Sequence, residues 1–184
     1  FGVGVSVLSG VSFAGGITFS FGGAESSFTS IDPGEFVLVV RDKGDFEDHY
    51  GTGLSGIIAG EYDNLSGGPK LSNDGENIKL VDLWNGTIAQ FDYNDARGWP
   101  VSADGAGHSL VALDSALVGQ PNGSWRWWGN WRASTYIDGS PGAYDPAPIA
   151  GVMINEVMAH TDYSNASYPD HDSNDWIELY NAGG

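Results

Sequence analysis

The fold class is decided by a stretch that runs from residue 77 to residue 93 and reads NIKLVDLWNGTIAQFDY. Two short runs of strand-like composition, residues 77–82 and 88–93, lie on either side of Asn85-Gly86. Asn-Gly is the strongest short hairpin signal, because both central residues of a type I′ turn need positive φ. The stretch therefore predicts an antiparallel hairpin closed by a type I′ turn.

Similar short runs, bounded by Gly, Pro, Asn or Asp, recur at residues 35–40, 151–159 and 175–181. The 28 glycines and 8 prolines leave few windows of helical length. We therefore expect only a turn or two of helix, at residues 46–50 and 113–117.

Two long segments, residues 51–68 and 118–144, separate these runs and are predicted to be connections that carry aromatic side chains. Short strands joined by turns and long loops favour an all-β sandwich.

The charge of the chain limits its partners. Lys and Arg total 7 against 24 Asp and Glu, which gives a net charge of −17. Such a surface repels phosphate backbones, so nucleic acid is excluded as a partner. No run approaches the roughly 18 apolar residues of a membrane helix, so we expect no membrane insertion. The absence of cysteine excludes disulfides, thiolate metal sites and cysteine nucleophiles.

The end of the chain carries a family resemblance. Residues 152–184, VMINEVMAHTDYSNASYPDHDSNDWIELYNAGG, resemble the opening of a lamin-tail domain, with an INE strand followed after a loop by a DWIELYN strand. Later parts of the same domain are similar to LSG (8–10), DPGEFVLVV (32–40), LSNDGENIKLVD (71–82), WPVSADGAGHSL (99–110), NWRAS (130–134) and GSPG (139–142). The resemblance implies an immunoglobulin-like β-sandwich of the kind found in secreted and surface proteins of bacteria, hence an extracellular or cell-surface location.

The order of the motifs differs from that family. Its first two strands stand at the carboxyl end here, so residues 1–146 are predicted to form an incomplete sandwich body and residues 147–184 a linker with two strands. Those strands complete a sandwich in a neighbouring copy, in the next repeat of a tandem array, or in the same chain as a circular permutant. The proline-rich residues 141–148 favour the first two, because such segments act as semi-rigid spacers.

We therefore expect a non-enzymatic structural protein that assembles head-to-tail into a filament or surface fibre, with copies of itself or adjacent repeats as partners. The predicted assembly residues are Ile154, Val157, Trp176, Ile177, Leu179 and Tyr180. The alternative is a carbohydrate- or surface-binding module of a larger secreted protein.

No catalytic constellation stands out in the sequence. The four histidines, His49, His108, His160 and His171, show no metalloprotease spacing, and no serine lies in G-x-S-x-G. Paired carboxylates for glycoside hydrolysis depend on the fold, and no pair is singled out.

Residues 170–175, DHDSND, place oxygen ligands at alternate positions, as a calcium loop does. The glycine and the glutamate that complete an EF-hand are missing, so a looser Ca²⁺ site at Asp170, Asp172 and Asp175, helped by Asp162, competes with a solvated acidic loop.

Four of the seven tryptophans fall in residues 125–131, WRWWGNW. The lamin-tail resemblance assigns Trp131 to the core, whereas Trp125, Trp127 and Trp128 are additional. For these three the sequence leaves open an interface, a core position or a platform that stacks on the sugars of a polysaccharide.

Overall fold

A computed structural model describes residues 4–24, 26–64, 71–96, 98–113, 124–147, 151–159 and 175–181. The chain divides into two compact units, Phe1–Asp145, called the body below, and Pro146–Gly184. The strands are β1 (Ser6–Val7), β2 (Ser12–Gly15), β3 (Ile17–Ser20), β4 (Ser30–Ile31), β5 (Leu38–Val40), β6 (Ile58–Glu61), β7 (Asp63–Asn64), β8 (Gly75–Val81), β9 (Thr87–Asn94), β10 (Leu110–Ala112), β11 (Trp131–Ala133), β12 (Val152–Met158) and β13 (Trp176–Asn181).

The described residues form an all-β arrangement of several small sheets, which confirms the predicted fold class at that level. The largest sheet has five antiparallel strands in the order β7-β3-β2-β8-β9. Two-stranded sheets pair β1 with β4, β10 with β11, and β5 with β6.

The core of the body lies on one face of the five-stranded sheet. Phe13 is paired with Phe19 on one side and with Leu80 on the other, so these three side chains share a face. Phe19 is 1% exposed and meets Phe21 edge-on, with ring centroids 5.0 Å apart. The buried hydrophobic residues of the described chain are Val11, Ile17, Phe19, Phe21, Val40, Ile58, Ala59 and Val81.

The predicted hairpin at residues 77–93 is present as β8 and β9, but its predicted turn type is wrong. The strands end at Val81 and resume at Thr87, which leaves a five-residue loop. Asn85 has a φ of 63°, whereas Gly86 lies outside the left-handed region. The loop is longer because the Asp82 carboxylate accepts bonds from the Trp84 N–H at 2.9 Å and the Gly86 N–H at 2.7 Å.

Residues 51–64, the described part of the connection predicted at 51–68, contain regular structure that was not expected there. They contain a 3₁₀ helix (Thr52–Ile57), β6 and β7. β6 pairs in parallel with β5, which is itself shorter than the strand predicted at residues 35–40. Parallel strands need a long crossover, and composition alone does not reveal which distant run will become the partner.

The crossover between β5 and β6 contains the helix α1 (Lys43–Tyr50), which begins three residues before the predicted segment. The Asp42 carboxylate caps it by accepting the Asp45 N–H at 2.9 Å, and the chain leaves it at Gly51 with a φ of 79°. Residues 114–117 of the second predicted helical segment lie outside the described residues. No helix in the described ranges is long and apolar enough to cross a membrane.

Candidate functional site

The second unit contains an antiparallel pair, β12 and β13, called the C-terminal hairpin below. Its register pairs Ile154 with Leu179 and Val157 with Ile177. Residues directly opposite each other point to the same side of a sheet, and Ile177 and Leu179 are two positions apart on β13. Ile154 and Val157 therefore share a face, although an odd spacing in a regular strand would separate them.

A β-bulge makes this possible. The register shifts between Ile154 and Glu156, which leaves Asn155 as the extra residue on β12. The Asn155 amide donates a hydrogen bond to the Glu178 carboxylate. Glu178 stands directly opposite Glu156, so this donor offsets part of the repulsion between two like charges.

The hairpin therefore has two faces of different chemistry. We call one the aliphatic face; it carries Val152, Ile154, Val157, Ile177 and Leu179, with Asn181 at its end. We call the other the mixed face; it carries Met153, Glu156, Met158, Trp176, Glu178 and Tyr180. The bulge thus collects the aliphatic side chains of both strands on a single side.

The aliphatic face is open to solvent. Its five hydrophobic side chains are between 53% exposed, at Val157, and 65% exposed, at Ile177. Trp176 and Tyr180, on the mixed face, are 40% and 56% exposed. A two-stranded hairpin is marginally stable at best in water and needs a further strand or layer to cover its apolar side.

Of the six predicted assembly residues, the structure brings four together on the aliphatic face: Ile154, Val157, Ile177 and Leu179. It places Trp176 and Tyr180 on the opposite side. Sequence reasoning missed both the bulge and Val152. The available signal was the three-residue spacing of Ile154 and Val157 around the polar Asn155-Glu156 pair.

The last residue of the body is held by a buried polar network. Asp145 has a side chain that is 5% exposed and pairs with the Arg132 guanidinium of β11. It also accepts the Thr135 N–H at 2.9 Å and the Ser140 hydroxyl at 3.0 Å. Burial alone raises the pKa of Asp145, but the bonds from Thr135, Arg132 and Ser140 outweigh it and hold the pKa below its ordinary value of 3.8.

The tryptophan segment is divided between two environments. Trp131 packs against Phe91 at 4.9 Å between ring centroids, and its Nε1–H donates to the Trp125 carbonyl at 2.8 Å. Trp125 meets Phe91 edge-on at 5.6 Å, and Trp99 lies 6.1 Å from Trp131. Trp125 is thus part of an aromatic cluster inside the body.

Trp127 and Trp128 remain exposed, by 58% and 46%, with ring centroids 5.8 Å apart and planes inclined at 48°. A Cβ at Gly98 would come within 2.5 Å of the Trp128 ring, and one at Gly129 within 2.7 Å of the Trp127 ring. Glycine is required at both positions because each ring rests on backbone. The two rings are therefore supported from one side.

The predicted calcium site is only partly described. Asp170, Asp172 and the helper Asp162 lie outside the described residues, and Asp175 is exposed. Among the residues that the structure describes, no group of three or more His, Asp or Glu side chains could hold a metal ion.

Two of the four histidines are described. His49 Nε2 lies 3.4 Å from the Asp138 carboxylate, and His108 Nδ1 lies 2.7 Å from the Ser134 carbonyl oxygen. His160 and His171 lie outside the described residues. The described contacts of His49 and His108 include no serine hydroxyl that a histidine could activate.

Comparisons with protein-family models, curated proteins and solved structures gave no match to this chain. The lamin-tail resemblance of the sequence motifs therefore stays a prediction.

Proposed function

We propose that this chain is a building block of an extracellular fibre or surface layer, in which the C-terminal hairpin of one copy or repeat completes the β-sandwich of the next. The completed sandwich would be immunoglobulin-like, with the topology of a lamin-tail domain. The role is structural, and no enzymatic step is part of the proposal.

The observation that carries this proposal is the exposed aliphatic face of the hairpin. Five aliphatic side chains on one side of two paired strands are typical of a sheet that belongs to a sandwich core. Full burial of such a side chain contributes about 1.5–3 kcal/mol, and these are still more than half exposed. Cover by another sheet would therefore stabilise the hairpin substantially.

Donation of a hairpin to a neighbour is a head-to-tail contact. The surface that gives and the surface that receives are different, so each new copy presents a free hairpin again. Contacts of this type form open filaments unless rotation closes a ring. A tandem array within one polypeptide would use the same contact between consecutive repeats.

The test separates the two faces of the hairpin. Ile154→Thr with Leu179→Thr removes a cross-strand pair from the aliphatic face and places at both positions the β-branched threonine, which favours a strand. We expect the concentration at which the chain assembles to rise by about tenfold or more. A factor of ten corresponds to about 1.4 kcal/mol, and loss of two buried aliphatic side chains removes at least that much. The measurement is light scattering with negative-stain imaging.

The matched control is Met153→Thr with Tyr180→Thr, the neighbouring cross-strand pair on the mixed face. It should assemble like the parent chain. A parent chain that stays monomeric at every concentration would contradict the proposal, and so would equal effects of the two double variants.

A second candidate function is binding of a polysaccharide, favoured by the exposed pair Trp127 and Trp128. Two supported rings with open outer faces suit stacking on neutral sugars, and the net charge of −17 disfavours an anionic ligand. This candidate predicts a monomer retained by insoluble polysaccharide. The double variant Trp127→Ala with Trp128→Ala should no longer be retained by the polysaccharide. The control Trp84→Ala removes another exposed tryptophan, at 83%, and should be retained like the parent chain.

A further inference from the structure

Within the described part of the body, one edge of β10 has no partner strand. β10 is bonded to β11 on one side, and the structure describes no strand on its other side. The ladder extends past both ends of β10, because the Ser134 N–H donates to the Ser109 carbonyl and the Leu113 N–H to the Asn130 carbonyl, each at 2.8 Å.

The direction of the remaining backbone groups follows from this ladder. Hydrogen-bonded and non-bonded pairs alternate in an antiparallel sheet, so Val111, midway between residues 109 and 113, is the residue of β10 that bonds to β11. The N–H and C=O groups of Leu110 and Ala112 therefore point away from β11. They form a row of two donors and two acceptors that suits a further strand.

A groove of about 460 Å³ runs along β10. Its lining also includes an aromatic wall: Phe36 and Tyr144 meet edge-on with ring centroids 5.0 Å apart, and Tyr50 contributes a third ring. Tyr144 is 75% exposed, although it lies beside an apolar surface. An open strand edge and an uncovered aromatic wall thus adjoin each other within the body.

The groove carries two carboxylates of its own, and the Asp138 side chain is 51% exposed. Asp145 is paired with Arg132, and Asp138 lies 3.4 Å from the His49 ring while its carbonyl accepts the Tyr50 hydroxyl at 2.8 Å. The groove therefore suits an uncharged apolar surface better than one that carries carboxylates.

We propose that the edge of β10 and this groove receive the C-terminal hairpin of a second copy of the chain, with the aliphatic face against Phe36 and Tyr144. This inference rests on the proposed function, and it names the receiving surface. An outer strand of the hairpin pairs with the backbone of Leu110 and Ala112, and the side chains of the aliphatic face fill the groove.

The negative charge of the chain favours the aliphatic face as the surface that enters the groove. The chain carries a net charge of −17 and the groove contains Asp138, so two copies approach best when the surface that enters the groove carries no carboxylate. The aliphatic face has no ionisable residue, whereas the mixed face has Glu156 and Glu178. The aliphatic face and the β10 groove are the matching pair among the described surfaces.

The first test places a charge in the groove. Tyr144→Lys should weaken assembly of the full chain by about tenfold or more, because a buried unpaired ammonium is costly. Tyr136→Lys is the matched control, since Tyr136 is also an exposed tyrosine of the body, at 54%. The control should assemble like the parent chain.

A second test does not depend on how well the Tyr144 variant folds. The chain contains no cysteine, so a single introduced thiol is unique. Chains with Leu179→Cys are mixed with chains that carry Tyr144→Cys, and oxidation should give a disulfide-linked pair. Mixing with Val101→Cys, at a residue that is 82% exposed, should give little of that product.

The outcomes keep the two proposals apart. Assembly that survives Tyr144→Lys but is lost with Ile154→Thr and Leu179→Thr would overturn the β10 groove as the receiver and leave hairpin donation standing. A third chain carries both Tyr144→Cys and Leu179→Cys. If the disulfide forms only within this double variant, and not between the two single variants, the second copy is not the occupant. A parent chain that never assembles would overturn both.

Discussion

At the scale of single residues, Asp145 is the side chain on which the end of the body depends. It ties the residue before Pro146 to β11 through Arg132, and to Thr135 and Ser140 in the loop between them. In a fibre joined through the second unit, tension would enter the body at this residue. A buried carboxylate with several hydrogen-bond partners is suited to that position. Pulling the residue away from any one partner costs free energy and so resists the tension.

Replacement of Asp145 by Asn should lower the melting temperature of the body by several degrees, because the ion pair between Arg132 and the buried Asp145 carboxylate is lost. Asp138→Asn is the control, since the Asp138 side chain is 51% exposed beside His49. Thermal melts followed by circular dichroism give the comparison. Equal melting temperatures for the two variants would contradict the assigned role.

The same residue predicts a pH dependence. Because the folded pKa of Asp145 is depressed, its contribution to stability is complete above the ordinary value of 3.8 and is lost as the pH falls through the lower folded value. Between about pH 5 and pH 2, the gap in melting temperature between the parent chain and Asp145→Asn should therefore narrow. A gap that widens toward low pH would contradict this.

At the scale of elements, the bulge in β12 decides which side chains the hairpin presents together. If Asn155 were paired in the regular ladder, with no bulge, everything on one side of position 155 would move to the opposite face. Ile154 and Val157 would then lie on opposite sides, and the aliphatic face would be divided. The bulge, which takes Asn155 out of the ladder, thus keeps the assembly surface that we propose on one side.

Deletion of Glu178, which makes Ile177 and Leu179 adjacent and so places them on opposite faces, should abolish assembly. Deletion of Asn155, which removes the bulge but leaves Ile154 and Val157 on one face, should change it little. Analytical ultracentrifugation of both variants beside the parent chain measures the difference. If the chain without Glu178 assembles as the parent does, the shared aliphatic face is not the surface that associates.

At the scale of the whole molecule, the charge of −17 opposes contact between copies. Repulsion between exposed carboxylates is screened over about 10 Å at 0.1 M salt and over longer distances at lower salt. The contact that we propose, through an aliphatic face without ionisable residues, would reduce this repulsion but not remove it, since 24 acidic residues are spread over the chain.

Assembly should therefore strengthen as NaCl rises from about 10 mM to about 100 mM, because the Debye length falls from about 30 Å to about 10 Å. Sedimentation at matched ionic strength in NaCl and CaCl₂ separates screening from a specific site. A further gain with Ca²⁺, lost with Asp170→Asn and Asp172→Asn, would favour the calcium site predicted at residues 170–175. Assembly that weakens with added NaCl would contradict the apolar contact.

Part of the candidate site could be read from local sequence. The apolar residues of the C-terminal strands were predicted from two short runs bounded by turn formers and from the resemblance of those runs to the opening strands of a lamin-tail domain. The split of the tryptophans could not be read in this way. Trp125 enters the cluster around Phe91 and Trp131, whereas Trp127 lies over Gly129 and Trp128 over Gly98. Only the packed fold defines those neighbours.

The sequence by itself determined the strand-rich class, the β8–β9 hairpin, the acidic surface and the apolar character of the C-terminal strands, because each follows from side-chain alternation, turn residues or composition. Only the tertiary structure decided the five-residue loop at Asn85, the parallel pairing of β5 with β6, the bulge at Asn155 and the open edge of β10. Those features depend on which distant backbone groups bond to each other, and short-range patterns carry no information about such partners.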